Sequence, residues 1–324
     1  MRYRAKKQLV EDILALDDTI NVSAHDDADG VASAVLFGEF LAAHEKEFYV
    51  KFPETFGDCD SKTDVVLDQV PLDPELEAIV IDHHSQHTSR KTYQYSLWYE
   101  EVPTTRIVYD LFKKFLQHKW KVAIGAVGDG QPEQIPDEIW DQYPELFQEK
   151  CSIYAKSYDL TVYRNPLYSM LSSGINAISR MENKDIDSMG PVVAYNIAKE
   201  VKNPWDLVNH SMCGMAKALS KKEQKQIIVK HAPLDLGRVI MWIIESDYNL
   251  GSTVATRLQS EIKKTVVVVN RTSGKISIRG DQAGWIKRKL PEFTIDGHLK
   301  WMGGILNDDQ TPEDITTALV ANIR

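Results

Sequence analysis

The sequence predicts an α/β chain: a parallel-sheet domain with a mainly helical insertion or extension, joined by a connector to a smaller α/β domain. Three observations predict it. Short apolar runs alternate with stretches of helical periodicity, the pattern of βα units. Four of those runs stop at acidic or imidazole side chains, and a second series of β-branched runs begins after residue 231. At 324 residues the chain exceeds the usual size of one domain, so two are expected.

Residues 6–16 read as a short helix leading into the strand TINVSAH, whose end delivers His25, Asp27 and Asp29 on alternate positions. Gly30 then permits a tight turn into VASAVLFGEFLAAHE, small and apolar at helical spacing. TDVVLDQV and ELEAIVIDHH read as the second and third strands, carrying Asp68 and the triplet Asp82, His83 and His84. TTRIVYDLFKKFLQ has helical periodicity, and KVAIGAVGDG is expected to form a fourth strand closing on Asp129 between two glycines. Open parallel sheets hold their sites at the carboxyl ends of their strands, so these eight side chains are expected to converge. Residues 131–211 are rich in Trp, Tyr, Asn and Asp and read as a mainly helical segment without a ligand motif, which completes a first domain over 1–219. The polar stretch SKKEQKQIIVKHAP supplies a connector at 220–231. In the second domain, 232–324, RVIMWIIES, TVVVVNR and KISIRG read as strands, with GSTVATRLQSEI as a helix between the first two.

Composition bounds the function. With 43% hydrophobic and 26% charged residues the chain reads as soluble and globular. No apolar run reaches the ~18 residues of a membrane span, and MRYRAKKQLVEDIL is too charged for a signal peptide, so a cytoplasmic protein with no membrane partner is expected. Cys59, Cys151 and Cys213 lie far apart without a C-x-x-C pair, which argues against a disulfide framework and a cysteine zinc site. A net charge of -9 argues against a general nucleic-acid coating protein, and the acidic excess lies in the first 230 residues, with the candidate ligands.

Carboxylates and imidazoles packed this closely resist desolvation unless a cation sits among them. Oxygen and nitrogen donors without thiolate suit manganese or magnesium, and so many anionic ligands could hold two ions ~3.5–4 Å apart, an arrangement suited to phosphoester hydrolysis. Taken singly, each motif has an ordinary reading: an exposed turn at His25 to Gly30, a cap with two surface histidines at Asp82 to His84, helix caps or turns at Asp68 and Asp129. Joint placement at successive strand ends outweighs those readings.

In this order the residues resemble the four motifs of the DHH phosphoesterases, a family that includes RecJ-type exonucleases and nano-RNases: His25 to Gly30 (HDDADG), Asp68 in TDVVLDQV, Asp82-His83-His84, and Asp129 in AVGDG. The tail resembles the DHH-associated C-terminal domain through SIRG, with Arg279, and GHLKWMGG, with Gly297, His298, Gly303 and Gly304. The resemblance implies two manganese ions, with magnesium as the alternative, held by His25, Asp27, Asp29, Asp68, His83 and Asp129, with Asp68 bridging. It also implies that His84 faces the scissile phosphate, stabilising charge or protonating the leaving oxygen, and that Asp82 orients the histidines or approaches the metals. Arg279 and His298 would hold a substrate phosphate or terminal nucleotide, with the four glycines letting the backbone approach it. The implied activity is a manganese-dependent phosphodiesterase or exonuclease acting from an end of single-stranded DNA or RNA, or on short oligonucleotides. Lys263, Lys264, Lys287, Arg288 and Lys289 add positive charge to the tail.

Two other functions stay open: a small-nucleotide phosphoesterase acting on a cyclic dinucleotide or 3′-phosphoadenylate, and a non-catalytic replication or repair scaffold. The chain departs from the family at Trp301 and Met302, where two alanines are common; the tryptophan could stack on a base or belong to the core. The 131–211 segment is long, and could serve as a lid, a wall of a nucleic-acid channel or an oligomer contact such as a homodimer interface.

Overall fold

A computed structural model describes residues 5–53, 56–89, 92–147, 167–181, 189–298, 300–307 and 309–323. They fall into two compact units, one drawn from Met1–Ser179 and Ser188–Lys217, the other from Arg180–Asp187 and Ala218–Arg324.

The first unit opens with helix α1 (Lys6–Leu14), strand β1 (Thr19–Ala24) and helix α2 (Ala28–Ala43). Strands β2 (Glu47–Lys51), β3 (Val65–Leu67) and β4 (Ile79–Asp82) follow, then the short turn of helix α3 (Gln86–Ser89) and strand β5 (Ser96–Tyr99). The five strands form one sheet in the order β2-β1-β3-β4-β5. Every pairing in it is parallel. Val65, Val66 and Leu67 are all buried, as expected of a central parallel strand with both faces covered. Helix α2 is apolar around nearly its whole circumference, because it lies between the sheet and the helices α4 (Thr104–Phe112) and α5 (Val122–Gly128).

The run KVAIGAVGDG is not the expected fourth strand. Residues 122–128 form helix α5, and Asp129 is the residue that caps its C-terminal end. A short apolar run bounded by glycines fits a buried helix as well as a buried strand, and periodicity cannot separate the two. The strands that complete the sheet are instead β2 and β5, which the sequence reading passed over. Both lie at its edges, and both are short.

Beyond α5, helices at Ser169–Ser179, Met189–Glu200 and Pro204–Val208 pack within the first unit. Short helices at Asp137–Gln142 and Pro144–Phe147 precede them, and 148–166 and 182–188, part of the segment read as lid, channel wall or oligomer contact, lie outside the described residues. The polar stretch read as a connector belongs to the helix Ser211–Lys230.

The second unit contains a mixed sheet in the order β10-β11-β9-β8-β7-β6, built from β6 (Leu234–Asp235), β7 (Val239–Ile244), β8 (Thr265–Asn270), β9 (Lys275–Arg279), β10 (Thr294–His298) and β11 (Trp301–Ile305). Only β7 and β8 run parallel, joined through the helix Gly251–Ile262. Alternate residues go to opposite faces. Met241, Val267, Val269 and Ile278 pack with Ile286, Ile315 and Leu319. Ile240, Trp242, Val266 and Val268 pack with Val254, Ala255 and Leu258. Covered on both faces, β8 is buried along its length, which is why it reads as TVVVVN without polar alternation. Among the described residues, no helix is long and apolar enough to cross a membrane.

Candidate metal centre

The sheet register builds the site. Ala24 lies opposite Leu67 and Leu67 opposite Ile81, so β1, β3 and β4 end level with one another. Backbone pairing continues one residue further: the His25 N–H donates to the Leu67 carbonyl at 3.2 Å, and the Asp68 N–H donates to the Ile81 carbonyl at 3.1 Å. His25, Asp68 and Asp82 are thereby fixed at neighbouring strand ends. Asp68 leaves its strand with φ of 59°, a left-handed conformation that aspartate and asparagine tolerate better than most residues.

Asp27 caps helix α2, accepting from the N–H groups of Asp29 at 2.9 Å and Gly30 at 3.1 Å. Gly30 is required at this turn, because a Cβ there would run into the His25 carbonyl. Asp29 is wholly buried against the start of α4, accepting from the Thr104 N–H at 2.7 Å, the Thr105 N–H at 3.0 Å and the Thr105 hydroxyl at 2.6 Å. Thr104 also donates its hydroxyl to Asp68 at 3.0 Å. Helix α5 comes close for want of side chains: a Cβ at Gly125 would meet Asp29 and Thr105, and one at Gly128 would meet Ala28. That approach carries Asp129 to the cluster.

All eight side chains expected from the sequence meet here. His25, Asp27 and Asp68 offer ligand atoms within 4.8 Å of one another, and so do Asp29, His83 and Asp129. His83 Nε2 lies 3.3 Å from both Asp68 and Asp129, so Asp68 stands between the two groups. A third grouping joins Asp68, Asp82, His83 and His84. Two buried polar atoms, His25 Nδ1 and Asp129 Oδ2, lie 3.2 Å from an Asp27 oxygen and 3.3 Å from His83 Nε2 without meeting hydrogen-bond geometry. Close but misaligned oxygen and nitrogen atoms in such a cluster fit divalent cations.

The electrostatics agree. Burial raises the Asp129 pKa to about 7, the Asp68 and Asp27 carboxylates adding to it against the pull of His83. Burial, then Asp68 and Asp129, hold Asp29 well above the usual carboxylate range. Burial opposes charge on His83 and His25, but neighbouring carboxylates outweigh it and raise both well above an ordinary imidazole. Asp82 goes the other way. Burial would raise it, yet His84 and His87 hold it well below its ordinary value.

Sequence reasoning missed the supporting residues. Besides Thr104 and Thr105, these are Asn176, whose Oδ1 accepts from the Ala28 N–H at 2.9 Å, and Ser179, whose hydroxyl donates to the Asp26 carbonyl. Together they clamp the chain on both sides of Asp27 from the helix Ser169–Ser179. Phe56 sets its ring edge-on to His25 and His84, with centroids 5.1 and 5.0 Å away. Its neighbour Gly57 donates its N–H to Gln69, which in turn donates to Ser23. No local pattern announces any of these, because each acts through a partner remote in sequence.

Arg279 lies in the second unit, at the end of β9. Its guanidinium donates to the Thr256 hydroxyl at 3.2 Å and to the Ile278 and Met302 carbonyls at 2.8 and 2.9 Å. Burial and the neighbouring Arg180 guanidinium lower its pKa to about 10. Arg180, also overlooked in the sequence, donates to the Thr253 hydroxyl at 2.7 Å. Gly297 and His298 lie on β10, Gly303 and Gly304 on β11; in the register His298 pairs with Trp301, and Trp301 with Arg279. The side chains of His298 and Trp301 lie outside the described residues, and so does the reading of Trp301 as a stacking surface.

No protein-family model matches the chain, and no curated protein matches it. Solved structures do match. RecJ from Thermus thermophilus in complex with Mn2+ superposes with a TM-score of 0.67 at 15% identity, covering 98% of this chain. This chain spans 54% of that RecJ. A second exonuclease RecJ, bound to manganese, gives 0.63 at 15% identity, covering 98% of this chain and 94% of that one. CDC45 from Entamoeba histolytica gives 0.57 at 9% identity over the whole of both chains. At these identities the likeness is one of fold: a parallel five-stranded sheet with its helices, and a separate mixed sheet, as in RecJ.

Proposed function

We propose that the chain is a metal-dependent phosphoesterase, specifically a manganese-dependent exonuclease or phosphodiesterase that hydrolyses single-stranded DNA or RNA, or short oligonucleotides, from an end. The observation that carries this reading is Asp68 standing between two ligand groups, His25 with Asp27 and Asp29 with His83 and Asp129. These six residues would hold a pair of divalent ions. Such ions supply Lewis acidity: they neutralise charge building on a phosphoryl group and make water a better nucleophile.

The chain's own residues do the rest. Asp68, fixed by Thr104, spaces the two halves of the site. Asp29 accepts three hydrogen bonds from the start of α4 and so keeps one arm rigid. His84, 2.7 Å from Asp82, faces the reacting phosphate and gives a proton to the leaving oxygen. Arg279, with Arg180 beside it, supports recognition of a substrate phosphate in the second unit, since guanidinium groups match phosphate oxygens in fork geometry. The fold likeness to two RecJ structures holding manganese supports the exonuclease form of the reading. A net charge of -9 favours a second form, in which the substrate is a small nucleotide, because long strands normally need many phosphate contacts.

Single strands from two to about forty nucleotides, labelled at either end and incubated with manganese, separate the two forms. Cleavage across the whole series supports the exonuclease, and cleavage confined to the shortest members or to cyclic dinucleotides supports the small-nucleotide form. No cleavage of any of them contradicts the phosphoesterase reading. Asn176→Ala tests how the site is held. Losing the acceptor for the Ala28 N–H should weaken manganese binding about 10–100-fold, the usual effect of removing a group that supports a metal ligand. A manganese titration that is unchanged would show the clamp to be dispensable.

A further inference from the structure

Asp82 spends both oxygens on imidazoles: Oδ1 lies 2.7 Å from His84 Nδ1, and Oδ2 lies 2.7 Å from His87 Nε2. His87, on α3, also places Nδ1 2.9 Å from the Tyr95 hydroxyl. Asp82 and Tyr95 are wholly buried, and His87 is 4% exposed, so hydrogen bonds among them do not compete with bulk solvent.

The chemistry of the groups fixes the direction of the two bonds to Asp82. An ionised carboxylate only accepts, so both imidazoles donate to Asp82. With Nε2–H of His87 committed to Asp82, Nδ1 on the far side of the ring pairs with the Tyr95 hydroxyl, so the imidazole is held at both nitrogens. With Nδ1–H of His84 committed to the other oxygen, Nε2 is its remaining ring nitrogen.

We propose that His87 and Tyr95 are positioning residues for the reaction: they lock the Asp82 carboxylate so that His84 presents Nε2–H to the leaving oxygen of the phosphodiester. This rests on the phosphoesterase reading above. In the step concerned, a water oxygen bonds to phosphorus and the bond from phosphorus to the leaving oxygen breaks. That oxygen takes the proton from His84 Nε2, and the proton lost by the attacking water returns to His84 through solvent. Neither His87 nor Tyr95 touches the substrate.

The test compares two substrates in the presence of manganese: a dinucleotide, whose leaving group is a nucleoside hydroxyl and needs a proton, and the p-nitrophenyl ester of thymidine 5′-monophosphate, whose phenolate leaves without one. For His87→Phe the expected result is a fall in kcat of about 100-fold on the dinucleotide, at the lower end of what general-acid catalysis contributes, and a fall under about 3-fold on the ester. KM and manganese affinity should stay within about 2-fold of wild type, since the metal ligands keep their own partners. His87→Gln, whose amide can still donate to Asp82, should recover most of the loss. Tyr95→Phe, which removes only the hydroxyl, should show the same substrate dependence at a smaller size, and with His87→Gln it decides the matter if His87→Phe does not fold. Equal losses on both substrates, or manganese binding lost together with activity, would overturn the relay and leave His87 a packing residue. A wild-type chain that cleaves neither substrate overturns the phosphoesterase reading, and the relay with it; an active wild type with indifferent variants overturns the relay alone.

Discussion

Asp68→Asn is expected to abolish metal-dependent hydrolysis, by on the order of 10³–10⁵-fold, while leaving the chain folded. Asp68 is the side chain that stands between the two ligand groups, 3.6 Å from His25 Nδ1 through one oxygen and 3.3 Å from His83 Nε2 through the other. An amide in its place keeps a carbonyl oxygen for the Thr104 hydroxyl but loses the charge and one oxygen ligand. Asparagine also tolerates the left-handed backbone at this position, so the substitution adds no strain. Hydrolysis assays and a thermal melt of the same sample check the expectation. Activity within tenfold of wild type would remove Asp68 from the centre of the mechanism.

The second large effect concerns the metal-free chain. Asp129 titrates at about 7 in the folded state, against an ordinary value of 3.8. Between those values the native chain keeps a proton that the unfolded chain has released. Its contribution to stability is therefore fully present below about pH 4 and is lost as the pH rises through 7. Asp29 is shifted in the same direction. His25 and His83 are raised above 6.5, so their contribution is present below that value and is lost as the pH climbs through their folded values. Asp68 and Asp82, held below 3.8, act only on the acid side, where stability is lost as the pH falls through their folded values.

From pH 5 to 8 the metal-free chain should therefore lose stability steadily. Over that range Asp129 alone sets a ceiling of about 3 kcal/mol, which corresponds to a fall in Tm of roughly 5 °C for a chain of this size. On the proposed function, manganese would bind the deprotonated cluster, so the Tm it restores should grow with pH. Melts with chelator and with manganese across that range measure the effect. A Tm difference that is flat or shrinks with rising pH would contradict it.

The convergence of these side chains was legible because the candidate ligands follow their strands directly. The sequence HDDADG after TINVSA, Asp68 after VVL and DHH at the end of VID each pair an apolar run with a polar stop, and parallel register then aligns the stops. Asp129 was legible as a residue but not as a position: it arrives on a helix end, brought close by glycines whose purpose appears only against Asp29 and Ala28. The edge strands β2 and β5 are short and weakly patterned, and tertiary pairing decides them. Least legible were the groups that hold the candidate ligands. Asn176 lies 148 positions from Ala28 and Ser179 lies 153 from Asp26, distances at which no sequence pattern connects a side chain with the backbone it caps. His87 sat within reach of the DHH triplet, but only the fold brings Tyr95 to its other nitrogen.

Counting manganese ions bound per chain at equilibrium, by electron paramagnetic resonance during titration of the chelator-treated protein at neutral pH, tests the central claim most directly. Two ions per wild-type chain and at most one in Asp68→Asn is the result expected of two ligand groups sharing one carboxylate. No specific binding by the wild type, or the same count in both proteins, would contradict it.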